Sequence, residues 1–358
     1  MNKTKKIVIV TPMLNLGGGQ RYVSVLANYW AETGHKVTMI ILRKKKEIFY
    51  DISDKIEIIK LNYSSDNRLY KSLLGLRTMI QLRNAIKKRK PDFVLSILST
   101  TNILTIISTL FLNTKVIVRD AFSQERKRSY LDLLGRKYCY PKATGIIAQT
   151  KEIKKFTEEK IKCKNIKVIA NPVREIKQDE KIKREKIILN VGRLHANKGQ
   201  EFFINACARI DSPDWKFVIL GEGDLRPSLE KQISDLNIQD RLTMPGAVKN
   251  VDEWLLKSSI FVFPSVLEGL PNALIEAMTA GLPCVSYDCE TGPRDLINDG
   301  ENGFLVTLGD FESLVKRIET LINDEDLRNK FSNEAMKTTK KLKVDTIAKE
   351  VLDFCINC

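Results

Sequence analysis

The stretch IFVFPSVLEGLPNALIEAMTAGLPCVSYD, residues 260–288, decides how this chain is read. Its apolar run 260–263 ends at Pro264, a short loop follows, and a helix-prone segment opens near Pro271-Asn272 before a second apolar run at 284–287. Strand, loop, helix, strand is the unit from which parallel sheets are built. Two acids mark the unit: Glu268 in the loop and Glu276 in the first turns of the helix, with seven residues between them. A helix N-terminus offers unpaired amides and positive potential, which suits a phosphate. Carboxylates beside it suit vicinal hydroxyls, so phosphate plus polyol points to a sugar nucleotide. Glutamates at this spacing also occur on solvated helices, and the pair alone does not choose.

Upstream, IILNVGRLHANKG (187–199) ends an apolar run at Gly192-Arg193 and supplies Lys198 across a short loop. An arginine gives a planar fork and a lysine a point charge, the usual division of labour on a diphosphate. The competing reading makes Arg193 part of a structural ion pair and Lys198 a solvated cation.

Taken together, GRLHANKG (192–199), EGLPNALIEAMTAGLPCVSYD (268–288) and GPRDLINDGENGFLV (292–306) resemble the donor half of glycosyltransferase family 4. The resemblance extends over nearly the whole chain. It implies an α/β protein of the GT-B type, two Rossmann-like doubly wound parallel-sheet domains facing a central cleft, and a retaining transfer. It also implies catalytic roles for Arg193, Lys198 and Glu268. Gly192, Gly269, Leu270, Pro271 and Asn272 would bind the donor, with Glu276 on its ribose. The nucleotide-sugar is then a co-substrate, and no separate cofactor is expected.

Other loops fit the same frame with less force. In Asn15-Leu16-Gly17-Gly18-Gly19-Gln20-Arg21, Gly18 and Gly19 let backbone approach an anion at a helix start. The segment is not G-x-G-x-x-G and no acid is placed for a dinucleotide ribose, which argues against a dehydrogenase; it reads as a plain turn or as the family's glycine loop. Gly221-Glu222-Gly223 and Pro245-Gly246-Ala247-Val248 end apolar runs, making Glu222 and Val248 candidates for the nucleobase side, with turns as the alternative. Arg119 and Asp120 end another run, where doubly wound sheets place ligands. Many family members carry a histidine near there, whereas His35 reads as a helix cap and His195 lies in the GRLHANKG loop. Arg119 and Asp120 are therefore the acceptor-side candidates, and a structural salt bridge is the alternative. The one D-x-D match, Asp324-Glu325-Asp326, lies in a charged surface stretch, so no metal is expected. Arg193 and Lys198 can stabilise a leaving diphosphate by fixed charge.

A chain of 358 residues with 43% hydrophobic content has room for two cores. Apolar runs at 7–10, 36–42, 56–61, 93–98, 116–119, 145–149 and 168–170 alternate with helix-like stretches, and a second series follows at 187–191, 217–220, 242–244, 260–263, 284–287 and 303–306. That alternation predicts two doubly wound parallel sheets. An acceptor-side domain is expected at 1–171 and a nucleotide-sugar domain at 186–340, joined by a charged linker at 174–186. Residues 341–358 should form a helix that the resembled fold sends back to the first domain. The start MNKTKKIVIVTPML mimics a signal peptide, yet it runs into a glycine turn and reads as a strand.

Charge is unevenly spread. Residues 1–180 carry 36 Lys+Arg against 16 Asp+Glu, a net of +20, and the remaining 178 carry 23 against 28, a net of −5. A basic first half implies an anionic partner. Nucleic acid is disfavoured, because aromatics make up only 7% and no recognition motif interleaves with the basic runs. The segment RLYKSLLGLRTMIQLRNAIKKRK (68–90) gathers Leu, Ile and Met on one face. That face packs on a sheet, or with Arg126-Lys127-Arg128 and Arg136-Lys137 it serves an anionic membrane surface, where each cation is worth about 1 kcal/mol. The uncharged stretch 93–114 contains five Thr, three Ser and two Asn, which argues against a membrane span. Seven scattered cysteines, including Cys355 and Cys358, read as reduced thiols. The expected protein is cytoplasmic and peripheral on the inner face of the cytoplasmic membrane. There a metal-independent hexosyltransferase passes a sugar from a UDP-linked donor to a glycan or polyprenyl-diphosphate-linked acceptor, in O-antigen or capsule-like polysaccharide synthesis. A transferase with a soluble acceptor is the rival reading.

Overall fold

The computed structural model describes residues 4–15, 17–43, 48–61, 68–120, 130–163, 165–176 and 182–358, with 68–74 and 131 described by backbone alone. The chain divides into two compact units, Met1–Pro172 with Val344–Cys358, and Val173–Lys343.

The first unit runs β1 (Lys6–Thr11), α1 (Gly18–Glu32), β2 (Lys36–Ile41), β3 (Glu57–Lys60), α2 (Arg68–Arg89), β4 (Phe93–Ile97), α3 (Ser99–Thr109), β5 (Lys115–Asp120), α4 (Tyr130–Cys139), β6 (Gly145–Ala148), α5 (Lys151–Ile161) and β7 (Ile166–Val168). Its sheet has the order β3-β2-β1-β4-β5-β6-β7 with every pair parallel. Helices on both faces explain why Ile7, Val8, Ile9 and Val10 are all buried, giving an unbroken apolar run in place of an alternating one. One boundary differs from the sequence reading. The strand expected at 168–170 lies at Ile166–Val168. Within the uncharged stretch 93–114, α3 begins at Ser99, directly after Leu98 at φ +69°. His35 is not a side-chain cap. Backbone N–H groups of Gly34 and His35 close α1 on Ala31 and Trp30, while the His35 ring accepts from the Lys5 N–H at 3.1 Å and fastens the start of β1.

A charged network lies inside this unit. Asp120, 1% exposed, pairs with the equally buried Arg136, whose guanidinium lies over the Tyr140 ring at 4.9 Å. Arg136 is therefore a core residue and not part of a surface cationic cluster, and Arg126-Lys127-Arg128 falls outside the described residues. On α2, Thr78, Leu82 and Ile86 pack inward at helical spacing. Leu76 and Ile80 do not join them and stay exposed. Among the described residues no helix is long and apolar enough to cross a membrane.

The second unit runs β8 (Ile187–Val191), α6 (Gln200–Arg209), β9 (Lys216–Leu220), α7 (Arg226–Asp235), β10 (Leu242–Gly246), α8 (Val251–Lys257), β11 (Ile260–Phe263), α9 (Asn272–Thr279), β12 (Cys284–Asp288), β13 (Phe304–Thr307), α10 (Phe311–Asn323) and α11 (Glu325–Thr339). The sheet order is β10-β9-β8-β11-β12-β13, again parallel throughout. The supposed linker is anchored where it is described. Arg184 donates to the carbonyls of Leu255, Ser258, Ala280 and Gly281. The last helix, α12 (Val344–Asn357), belongs to the first unit, where the buried Trp30 donates its Nε1–H to the Ala348 carbonyl at 3.1 Å.

Removing one member of a buried ion pair leaves the other charge uncompensated, at a cost of about 3–5 kcal/mol. Asp120→Ala should lower stability by that amount, read as a shift in the urea midpoint, whereas Asp54→Ala on the surface should shift it by less than about 0.5 kcal/mol.

Candidate active site

The winding of the second sheet reverses between β8 and β11, and doubly wound folds leave a ligand crevice at the carboxyl ends of such strands. The loops following these two strands carry Arg193 and Lys198 on one side and Glu268 on the other. They are joined backbone to backbone. Val266 N–H donates to the Asn197 carbonyl at 2.9 Å, and Gly199, at φ +62°, lies so close that a Cβ there would sit 2.0 Å from the Pro264 oxygen. Gly221 plays the same part toward the neighbouring loop, since its Cβ would fall 1.9 Å from the Gly192 oxygen. Only glycine permits either approach. A third loop closes from β12, where the Thr291 hydroxyl donates to the Glu268 carbonyl.

This frame brings Lys198 and Glu268 together: Nζ lies 2.5 Å from Oε1, with the lysine side chain about a quarter exposed and the glutamate 10%. Lys198 also lies 5.7 Å from the Phe263 ring centroid. Arg193 is exposed, and its side chain has no ion-pair partner among the described residues. Its backbone is fixed by Gln200, whose buried amide donates to the Arg193 carbonyl at 3.1 Å. His195 accepts from the Asn197 N–H and caps the 3-10 turn Ala196–Lys198, which presents Lys198. Gly269, Leu270 and Pro271 lead into α9, which opens at Asn272 without a side-chain cap. Glu276 is buried on α9, and Arg174 reaches it with Nε 3.6 Å from Oε1.

The remaining candidates have separate surroundings. Glu222 is exposed and grips Arg226 on α7 through both oxygens, at 2.7 and 2.9 Å, which holds its carboxyl below the usual range. Val248 is half-buried in the loop between β10 and α8. Gly18 and Gly19 form the first turn of α1 in the other unit, and the preceding Gly17 is held by Tyr50, whose hydroxyl accepts from its N–H at 3.0 Å and donates to its carbonyl at 2.8 Å. Arg119 and Asp120 are corrected here. Arg119 is 2% exposed, stacked on the Tyr22 ring at 3.9 Å and bonded to Asn171. Asp120 is consumed by Arg136. For Asp120 the salt-bridge alternative is the one the geometry supports, whereas Arg119 is held by a ring and an amide, and neither side chain reaches solvent.

Arg174 and Thr291 were missed by sequence reasoning. Arg174 was hidden in a charged stretch, and Thr291 acts through a backbone carbonyl that no residue pattern advertises. Among the described residues no group of three or more His, Cys, Asp or Glu side chains is placed to hold a metal ion.

A family model described as Glycosyl transferases group 1 matches residues 172–338, and one described as Glycosyltransferase Family 4 matches 16–175. The chain is 30% identical over 97% of both lengths to a Campylobacter jejuni enzyme, GalNAc-alpha-(1->4)-GalNAc-alpha-(1->3)-diNAcBac-PP-undecaprenol alpha-1,4-N-acetyl-D-galactosaminyltransferase. It is 28% identical to the Escherichia coli UDP-Gal:alpha-D-GlcNAc-diphosphoundecaprenol alpha-1,3-galactosyltransferase, over 79% of this chain and 80% of that one. Anabaena HepE, solved in complex with UDP, shares the fold with a TM-score of 0.83 at 18% identity, covering 99% of this chain and 100% of the other.

The glycine contacts make a comparative prediction. Gly300 is also at positive φ, +76°, but has open space around it. Gly300→Ala should cost only the left-handed penalty, about 1–2 kcal/mol. Gly199→Ala adds a backbone clash and should shift the urea midpoint clearly further. Equal shifts would contradict the stitched-loop account.

Proposed function

Because this chain belongs to glycosyltransferase family 4, we propose that it moves a hexose, with retention of configuration, from a UDP-linked donor to a hydroxyl of a polyprenyl-diphosphate-linked or growing surface glycan. The observation that carries this reading is the Lys198–Glu268 pair at the sheet's reversal point, beside the exposed Arg193. A diphosphate arriving there replaces Glu268 as the counter-charge of Lys198, and the released carboxylate accepts hydroxyls of the sugar. Glu276 accepts the ribose hydroxyls. As the anomeric C–O bond lengthens, negative charge gathers on the departing diphosphate. Arg193 and Lys198, engaged by the diphosphate once Glu268 is displaced, stabilise that charge without a metal. The acceptor hydroxyl attacks from the face the leaving group vacates and passes its proton to a phosphate oxygen.

The acceptor reading draws support from the undecaprenyl-linked substrates in the relatives' names. Support for attachment to the inner leaflet comes from the first unit, where Leu76, Ile80, Phe111, Tyr130 and Leu133 are exposed on the neighbouring helices α2, α3 and α4 or at their ends. Phe111 is 99% exposed. Exposed Arg77, Lys87, Lys88 and Lys137 lie on the same helices. Apolar side chains interleaved with cations suit an anionic interface.

Arg193→Ala and Glu268→Ala should each lower kcat/KM by about a hundred- to a thousand-fold while the melting temperature stays near wild type. Near-normal transfer by either variant would sink the assignment. Among UDP, GDP and ADP, UDP should raise the melting temperature most, by mass action on the folded state; a larger shift with GDP would reassign the donor. The protein should also float with phosphatidylglycerol vesicles at low salt and be released at high salt. Leu76→Ser/Ile80→Ser should reduce the floated fraction, and no flotation at low salt would remove the membrane from the proposal.

A further inference from the structure

Arg174 is the second residue of the second unit. Its guanidinium forks onto Asp252 in the first turn of α8, while its Nε lies 3.6 Å from Oε1 of Glu276. The Glu276 side chain is 8% exposed. A carboxylate that deep is held in place by fixed charge and hydrogen bonds, or it does not stay ionised and oriented. Arg174 supplies the charge, and Asp252 stops the guanidinium from swinging away. Nearby charges strengthen this picture, because the guanidinium's proton affinity is lowered by burial yet raised more by Glu276 and Asp252.

We infer that Arg174 is a positioning residue for the donor: clamped by Asp252, it orients the Glu276 carboxylate toward the ribose hydroxyls. The inference rests on the reading of Glu276 as the ribose acceptor and adds the part that aims it. Arg174 touches no reacting atom in this scheme, so its loss belongs in donor KM and not in kcat. The fork matters as well as the charge. A guanidinium serves two carboxylates at once in a fixed plane, whereas an ammonium is a point charge on a flexible stem. Arg174→Lys should therefore recover only part of the function.

The test titrates the full chain with UDP, or with GDP should that be the tighter binder, and with the matching 2′,3′-dideoxynucleotide. Arg174→Ala should weaken the ribonucleotide about ten-fold, the scale of one hydrogen bond to a charged group, and the dideoxy analogue less than two-fold. Glu276→Gln should show the same ribose signature, and the double variant should bind no worse than Glu276→Gln alone. Asp252→Asn, which leaves both Arg174 and Glu276 in place, should give a milder form of that signature and serves if Arg174→Ala folds poorly. Equal weakening of both nucleotides, or additive losses in the double variant, would overturn the inference while leaving the role of Glu276 intact. Should Glu276→Gln itself bind both nucleotides like wild type, the ribose reading falls, and the inference with it.

Discussion

Parallel pairing is the constraint on which the rest of this protein depends. A strand whose neighbours run the same way cannot be reached by a tight turn, so each is followed by a crossover, mostly helical, that covers a face of the sheet. With both faces covered and the ladders made, chemistry has room only at the strands' carboxyl ends. The winding reverses between β1 and β4 in one unit and between β8 and β11 in the other. At the first reversal stand Gly18, Gly19 and the strained Leu98; at the second stand Arg193, Lys198 and Glu268. Packing at the second reversal is close enough that main chains touch where two glycines meet Pro264 and Gly192. A site built this way is positioned by backbone, and its side chains inherit the precision.

Two ion pairs with the same chemistry serve opposite ends, and the difference is burial. Asp120 and Arg136 are both nearly inaccessible, so breaking their pair strands a charge at about 3–5 kcal/mol. Lys198 keeps about a quarter of its side chain in solvent, where such a pair is worth far less. The second pair is open to exchange with a charged group from solvent, and the first is sealed from it. That contrast separates a lysine within reach of solvent from an arginine committed to the fold.

Much of this was legible in the residues because buried parallel strands are written as unbroken apolar runs and the site loops as glycine-rich breaks after them. Arg193, Lys198 and Glu268 could be nominated because each lies in the loop that follows such a run. Arg119 and Asp120 follow one too, yet both turned inward. A sequence states that a charge ends a strand, and only the partner decides which way it faces; for Asp120 that partner is Arg136, sixteen residues on and itself readable as a surface cation. Leu76 and Ile80 belong to a face whose helical spacing left sheet and membrane surface open as partners; among the described side chains α2 buries the stripe through Thr78, Leu82 and Ile86 and leaves these two exposed. Arg174 escaped notice because a stretch dense in charge looks solvated until one of its members is seen gripping two acids.

The chain passes out of the first unit at residue 172 and returns at 344. The second unit is thus spliced into the first, and the order of synthesis matters. Residues 173–343 emerge from the ribosome as one continuous stretch and can fold as soon as they are complete. The first unit, begun earlier, must wait for its last piece: until α12 arrives, the flank of α1 that holds Trp30 has no cover and its indole N–H no acceptor. The half that is made first is therefore the half that is finished last, and for the whole time it takes to translate residues 173–343 the flank of α1 around Trp30 stays without the helix that covers it.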